Sequence, residues 1–118
     1  MVFHGRDGLD EISTTATTKI SQMKNCGEVN TFEFDANELG LNRVSLDDLQ
    51  GGEPDENAEM IRAILKGEKG PKRDIVLLNA AAGIVVGGKV QNLKEGLVKA
   101  TESVDSGAAL NILNQLAK

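Results

Sequence analysis

The sequence predicts an α/β fold in which one strand and a β-hairpin precede several packed helices. Residues 14–34 are rich in Thr, Ile, Val and Phe, which favour strands, whereas apolar residues in the second half recur at helical spacing. The 118 residues are enough to bury a core, and no repeat or linker-like segment divides them, so we expect one partial domain over residues 1–118. So little sheet for so many helices indicates a piece of a larger α/β fold.

A short strand is expected at Val2 and Phe3. It runs directly into residues 4–13, HGRDGLDEIS, which we call the acidic loop because they include three carboxylates, one histidine and two glycines. Because almost nothing precedes this strand, we expect an N-terminal part of the fold to be missing.

The hairpin is expected within residues 14–34, with its turn at NCGE. Val29 lies out of phase with Phe32 and Phe34, which predicts a bulge or another irregularity in the strand register. Residues 35–44, DANELGLNRV, have the composition of a turn and loop.

Two helices are predicted in the middle of the chain. Ser45 is placed to cap a short first helix, with Asp48 near its positive N-terminal end. Glycines at 51–52 then break the chain, Pro54 occupies the first turn of a second helix, and Gly67 ends it. The apolar stripe of this second helix consists of Ala58, Ile61, Ile64 and Leu65.

Three further helices are predicted towards the C-terminus. Residues 75–86, IVLLNAAAGIVV, are too long for a typical strand and favour a largely buried helix that ends at Gly87 and Gly88. Asn79 in its middle is expected to be a hydrogen-bonded core amide. Two amphipathic helices follow, separated by Gly107. The residues expected to face inward are Leu93, Leu97, Val98 and Val104 in the first and Leu110, Leu113 and Leu116 in the second.

Composition excludes several classes of function. The net charge of −5 and the absence of Trp and Tyr argue against a nucleic-acid binder, which needs clustered cations and stacking platforms. The longest apolar run is shorter than the ~20 residues of a membrane span, and no signal peptide opens the chain, so we expect a cytoplasmic protein without membrane contact. Cys26 is the only cysteine and is expected to be a small residue flanking a turn beside Gly27.

Asp10 and Glu11 are the most distinctive pair in the acidic loop. Neighbouring carboxylates repel one another unless a cation neutralises them, so the pair is either relaxed in solvent or metal-binding. Mg²⁺ is the favoured cation because it takes oxygen ligands and is commonly held by one or two carboxylates together with substrate phosphates. Zn²⁺ is disfavoured because His4 is the only histidine and Cys26 lies far along the chain.

The rest of the acidic loop leaves alternatives open. A loop that leaves a strand of an α/β sheet is a place where ligands bind, and Gly5 and Gly8 allow close approach of the backbone. His4 is either satisfied by backbone groups or available for acid–base chemistry. Arg6 is either a solvated loop arginine or a partner for phosphate.

Four motifs together resemble the anthranilate phosphoribosyltransferase family over essentially all 118 residues. They are HG..GLDE in the acidic loop, GG...ENA from 51, GP..D.VLLNAAA from 70 and DSGAAL from 105. The resemblance implies a C-terminal fragment of a phosphoribosyltransferase/nucleoside-phosphorylase-like α/β domain, without the helical domain that the family has upstream. Pyrimidine nucleoside phosphorylases share the fold class but match these motifs far less.

The resemblance implies a reaction and a set of site residues. The family transfers the phosphoribosyl group of phosphoribosyl pyrophosphate to anthranilate in tryptophan biosynthesis and releases pyrophosphate. Asp10 and Glu11 would bind Mg²⁺ on the pyrophosphate side of the donor, with His4, Gly5 and Gly8 in the substrate-binding loop and no catalytic nucleophile in this chain. The family's glycine-rich phosphate loop and anthranilate-contacting residues lie upstream, so we expect little or no turnover from the chain alone.

One local departure and two alternatives accompany this resemblance. The family usually has Gly-Pro where this sequence has Ala16 and Thr17, so the local turn is expected to differ. A non-catalytic module that binds a partner chain or forms a homo-oligomer through bare apolar faces is the first alternative. A fragment of a nucleoside phosphorylase-like enzyme is the second.

Overall fold

A computed structural model of the chain describes residues 1–24 and 27–117. Asn25 and Cys26, the first two residues of the NCGE turn, therefore lie outside the described residues. The α/β class is confirmed, and the chain forms two compact units. The first, Met1–Leu46, holds the strands, and the second begins at Asp47 and holds the α-helices.

The first unit contains a three-stranded antiparallel sheet in the order β1-β2-β3. Its strands are β1 (Val2–Gly5), β2 (Thr18–Met23) and β3 (Val29–Phe34). The predicted strand and hairpin are confirmed. β1 extends beyond the predicted Phe3, because His4 and Gly5 of the acidic loop pair with Lys19 and Thr18.

The register between β2 and β3 is regular. Six consecutive pairs run without interruption from Thr18 opposite Phe34 to Met23 opposite Val29. The predicted bulge is therefore wrong. Val29 and Met23 are 60% and 68% exposed, so Val29 lies at an end of the hairpin where no core enforces the alternation of apolar residues.

The segment predicted as a turn and loop contains a 3₁₀ helix, Ala36–Leu39. Asp35 accepts a hydrogen bond from the Asn37 N–H (3.0 Å), and Glu38 accepts one from the Asp35 N–H (3.1 Å). This reciprocal pair is a capping box, and its D-x-x-E spacing is visible in the sequence. Arg43 closes the segment through an ion pair with Asp35 at 2.5 Å.

The second unit contains four α-helices after a 3₁₀ turn, Asp47–Leu49, which corresponds to the short helix predicted after Ser45. The helices are α1 (Pro54–Leu65), α2 (Pro71–Val86), α3 (Leu93–Asp105) and α4 (Ala108–Leu116). α2 begins at Pro71, because proline is suited to the first helical position, and it ends before Gly87 and Gly88 as predicted. None of the helices in the described part of the chain is long and apolar enough to cross a membrane.

The core of the second unit lies between α2 and α3. Leu77, Ala100 and Val104 form its buried centre. The partly buried residues packed against them are Leu65, Ile84, Leu97 and Ala109. Asn79 is partly buried and its amide donates to the Ile75 carbonyl at 2.9 Å, which satisfies the expected hydrogen-bonded amide.

Several predicted apolar faces are less buried than expected. Val76 and Val86 are 42% and 62% exposed, so α2 is buried along one face only. Val98 and Leu116 were expected to face inward, and this is wrong because they are 54% and 80% exposed. In α1, Ile64 is buried whereas Ile61 is exposed. No described element of the second unit covers these side chains.

Gly96 allows α2 and α3 to approach closely. A Cβ atom added there would lie 2.7 Å from the Ala81 carbonyl oxygen and 3.0 Å from the Ala81 Cβ. Atoms of Ala81 in α2 therefore occupy the space that a methyl group at position 96 would need.

We expect Gly96→Ala to lower the free energy of unfolding by about 1–3 kcal/mol, because the new methyl group overpacks this contact. Gly83→Ala is the matched control, since Gly83 also lies in a helix but a Cβ atom there meets nothing within 4 Å. The control should gain about 0.5–1 kcal/mol from helix propensity. Urea unfolding followed by circular dichroism measures both, and equal effects would contradict the close contact.

Candidate functional site

The acidic loop leaves β1 through a tight turn. The Gly5 N–H donates to the Leu9 carbonyl at 2.8 Å, and the Gly8 N–H donates to the Gly5 carbonyl at 3.0 Å. Gly8 has a φ of +95°, in the left-handed region that favours glycine. The turn therefore reverses the chain immediately before Asp10.

Asp7 is the most highly connected carboxylate of the loop. Its Oδ1 accepts the Leu9 N–H at 3.0 Å, and its Oδ2 accepts the Ser13 hydroxyl at 2.5 Å together with the Thr15 hydroxyl. Asp7 is not among the site residues predicted from the sequence. The available signal was the Asp-Gly turn followed by the hydroxyl-rich segment STT, which supplies donors to a nearby acceptor.

Burial fixes the far end of the loop. Ile12 and Ser13 are completely buried, and Thr14 is 3% exposed. The Ser13 N–H donates to the Thr18 hydroxyl at 2.9 Å, which ties this end to the first residue of β2. The segment between Leu9 and Ile12 is thus held at both of its ends.

Asp10 and Glu11 lie between these anchors, and both are exposed. Within residues 1–24 and 27–117 neither side chain makes a hydrogen bond or an ion pair. The same part of the chain contains no group of three or more His, Cys, Asp or Glu side chains that could hold a metal ion. Two free carboxylates fit Mg²⁺ as a partial site, because this ion retains waters and takes substrate phosphates as further ligands.

His4 and Arg6 occupy defined positions at the end of β1 and just after it. His4 is exposed and lies in β1 opposite Lys19. Arg6 forms an ion pair with Glu33 of β3, and its Nε donates to Glu33 Oε2 at 3.3 Å. The hydrogen bond from Arg6 lowers the pKa of Glu33. Arg6 is thus an exposed loop arginine, which is the first of its two alternatives, and its guanidinium group is paired with Glu33 of the sheet.

Gly5 is required by the packing of the loop itself. It is buried, and a Cβ atom there would lie 2.4 Å from Asp7 Oδ1 and 3.2 Å from the Leu9 carbonyl oxygen. The absence of a side chain at Gly5 makes room for the Asp7 carboxylate. Gly8, in contrast, is exposed, and its backbone is open to solvent.

Ala16 and Thr17 occupy the position where the resemblance implies Gly-Pro. The Ala16 N–H donates to the Ser13 hydroxyl oxygen at 3.4 Å, and the Thr17 carbonyl accepts the Arg6 N–H at 2.8 Å. No described residue other than glycine has a positive φ, so this turn does not depend on a glycine at Ala16.

Opposing influences act on the pKa of Asp7. Burial is the largest, and it raises the pKa. The hydrogen bonds from Ser13, Thr15 and Leu9 favour the ionised form, and together they bring the pKa below its ordinary value. Asp7 is therefore an ionised carboxylate whose two oxygens already accept hydrogen bonds.

A cleft of about 250 Å³ lies within the second unit, away from the loop in sequence. Its lining consists of Asp48, Met60, Ile64 and residues 68–73. Arg73 is 3% exposed and donates to Asp105 at 2.7 Å, and its Nη1 has no hydrogen-bond partner among the described residues. No motif in the sequence indicates this cleft, and its lining contains none of the predicted site residues.

Comparison with known proteins shows similarity along the whole chain. Residues 1–110 match the family described as "Glycosyl transferase family, a/b domain". The anthranilate phosphoribosyltransferase of Acetivibrio thermocellus is 49% identical over 118 residues, which are 100% of this chain and 34% of that protein. The chain thus spans about a third of the length of the curated relatives it matches.

Solved structures show the same relationship. The anthranilate phosphoribosyltransferase of Thermus thermophilus matches with a TM-score of 0.85 and 38% identity, over 97% of this chain and 33% of that one. The Saccharomyces cerevisiae enzyme in complex with PRPP and Mg matches with a TM-score of 0.80 and 31% identity, over 95% of this chain and 31% of that one.

The lowered pKa of Asp7 predicts a pH-dependent contribution to stability. Since the folded-state pKa lies below the unfolded-state value, the contribution is present above about pH 4 and is lost as the pH falls through the folded-state pKa. Asp7→Asn should lower the unfolding free energy by about 1–3 kcal/mol near pH 7, and by less near pH 3. Urea titrations at several pH values, followed by amide NMR signals of the first unit, measure this.

Asp10→Asn serves as the control for this prediction, because it removes a carboxylate of the same loop that makes no hydrogen bond. It should leave the unfolding free energy near pH 7 almost unchanged. A destabilisation by Asp7→Asn that is the same near pH 7 and pH 3 would contradict the assigned role of the ionised carboxylate.

Proposed function

Because the chain belongs to the glycosyl transferase family that has this α/β domain, we propose that it forms the C-terminal part of an anthranilate phosphoribosyltransferase. In this proposal Asp10 and Glu11 contribute a Mg²⁺-binding pair to the active site. The observation that carries it is the exposed, unpaired acidic pair on an anchored loop. The 118 residues of the chain are also 49% identical to the matching third of such an enzyme.

The proposed reaction transfers a phosphoribosyl group from phosphoribosyl pyrophosphate to the nitrogen of anthranilate, in tryptophan biosynthesis. The C1–O bond to pyrophosphate breaks, and negative charge grows on the leaving group. A bound Mg²⁺ would neutralise part of that charge. Asp10 and Glu11 would hold the ion through their carboxylate oxygens, and the donor's phosphates and water would complete its ligands.

The other loop residues have supporting roles in this proposal. His4 and Gly8 are exposed at the two sides of the turn, where they would border the bound donor. Gly5 is buried, and its role is to admit the carboxylate of Asp7. No residue of the chain is assigned as a covalent nucleophile, since positioning and electrostatic stabilisation suffice for this type of transfer.

Two further elements belong to the proposal. A cytoplasmic location is the first of them. Association with a second copy is supported by exposed apolar side chains on α3 and α4, among them Val98, Ile112 and Leu116. This surface also favours the second candidate function, a non-catalytic module that binds a partner chain.

Light scattering of the purified chain at several concentrations tests the association. A dimer would support association through this surface, and a monomer would count against it.

We expect little or no turnover when the chain alone is mixed with phosphoribosyl pyrophosphate, anthranilate and Mg²⁺. The reason is that the chain spans about a third of its relatives and holds two free carboxylates as its candidate site. Loss of anthranilate fluorescence measures the reaction. Clear turnover by the purified chain would show that it carries a complete site and would overturn the proposed partial role.

The metal assignment predicts weak binding of Mn²⁺, which takes the same oxygen ligands as Mg²⁺ and is visible by electron paramagnetic resonance. The variant with Asp10→Asn and Glu11→Gln should lose this binding. The matched control carries Asp55→Asn and Glu56→Gln, which alter another exposed Asp-Glu pair while Gln retains the capping interaction. Equal Mn²⁺ binding by the wild type and the loop variant would remove the pair from the site.

A further inference from the structure

We propose that Asp7 is the positioning residue for the acidic pair, and that its hydrogen bonds to the loop set the affinity of Asp10 and Glu11 for a divalent cation. This inference rests on the proposed function, since it takes the pair as the cation-binding group. It assigns to Asp7 a role distinct from that of its two acidic neighbours.

The contacts of Asp7 lie on both sides of the pair. Leu9, whose N–H donates to Asp7 Oδ1, immediately precedes Asp10. Ser13 and Thr15, whose hydroxyls donate to Asp7 Oδ2, follow Glu11. One carboxylate therefore fixes the distance between the two ends of the segment that bears the pair.

Neither member of the pair is fixed by contacts of its own side chain. Neither Asp10 nor Glu11 makes a hydrogen bond or an ion pair within the described residues, so their backbone is ordered by its flanks alone. If the flanks were mobile, cation binding would have to order this segment. The loss of conformational entropy would then weaken the binding. A fixed loop avoids the loss, as outer partners of metal ligands do in other sites.

Two competing accounts of Asp7 are separable by experiment. In the first, Asp7 acts only through its negative charge, which attracts a cation without contact. In the second, Asp7 is itself a ligand, and its hydroxyl partners compete with the cation for its oxygens. Thr15→Val distinguishes these accounts, because it removes one donor to Asp7 and leaves the charge in place.

The experiment is a Mn²⁺ titration of the 118-residue chain by electron paramagnetic resonance. Thr15→Val should bind about tenfold more weakly than the wild type, the lower end of the effect of losing an outer partner. Thr31→Val is the matched control, since the Thr31 hydroxyl bonds to the Ser21 hydroxyl at 2.8 Å on the exposed sheet, and it should bind like the wild type. Asp7→Asn should also weaken binding and should accelerate hydrogen exchange at the Leu9 amide.

Three outcomes would overturn this inference without overturning the function on which it rests, and a fourth would overturn both. Unchanged affinity in Thr15→Val, with loss of binding when Asp10 and Glu11 are replaced, overturns the positioning role and leaves the metal pair standing. Tighter binding in Thr15→Val overturns it in favour of Asp7 as a ligand. An equal loss in Thr31→Val also overturns it, because the effect would then not be specific to the loop. No Mn²⁺ binding by the wild type overturns both proposals.

Discussion

A partly buried, ionised carboxylate has to be supplied with hydrogen-bond donors, and at Asp7 this requirement determines the path of the chain between β1 and β2. The donors come from Leu9, Ser13 and Thr15, so the loop has to close around the carboxylate. Gly5 has no side chain in the space that the carboxylate fills. Between Leu9 and Ser13 the closed loop leaves Asp10 and Glu11 exposed, whereas Ile12 is buried.

Local signals predict the helices and strands well where a single residue type determines the backbone. Pro71 begins α2, and Gly107 separates α3 from α4. The hairpin follows from residues that favour strands. The wrong predictions concern which apolar residues are buried. The spacing of apolar residues identifies one face of a helix, but whether another element packs over Leu116 depends on tertiary structure. The regular register at Val29 is a similar case. Alternation of apolar and polar residues predicts strand register only where one face of the sheet is buried, and Val29 is exposed.

The residues of the candidate site stay a prediction from the sequence, and the geometry around them could not be predicted from it. The acidic pair is identified by composition and by resemblance, both of which depend on adjacent positions in the sequence. The role of Asp7 depends on a contact with Thr15, and that contact exists only once the turn at Gly8 has reversed the chain. Adjacency in the sequence sets Asp10 and Glu11 apart from Asp7, but only the hydrogen bonds show that Asp7 is satisfied within the loop while the other two side chains are free.

The backbone contact between α2 and α3 has an evolutionary consequence. The atom that blocks a side chain at Gly96 is the carbonyl oxygen of Ala81, which every amino acid carries. A second mutation at Ala81 therefore cannot create the missing room, as it can where two side chains collide. A larger residue could replace Gly96 only if α2 and α3 moved apart, and that movement would loosen the core around Leu77.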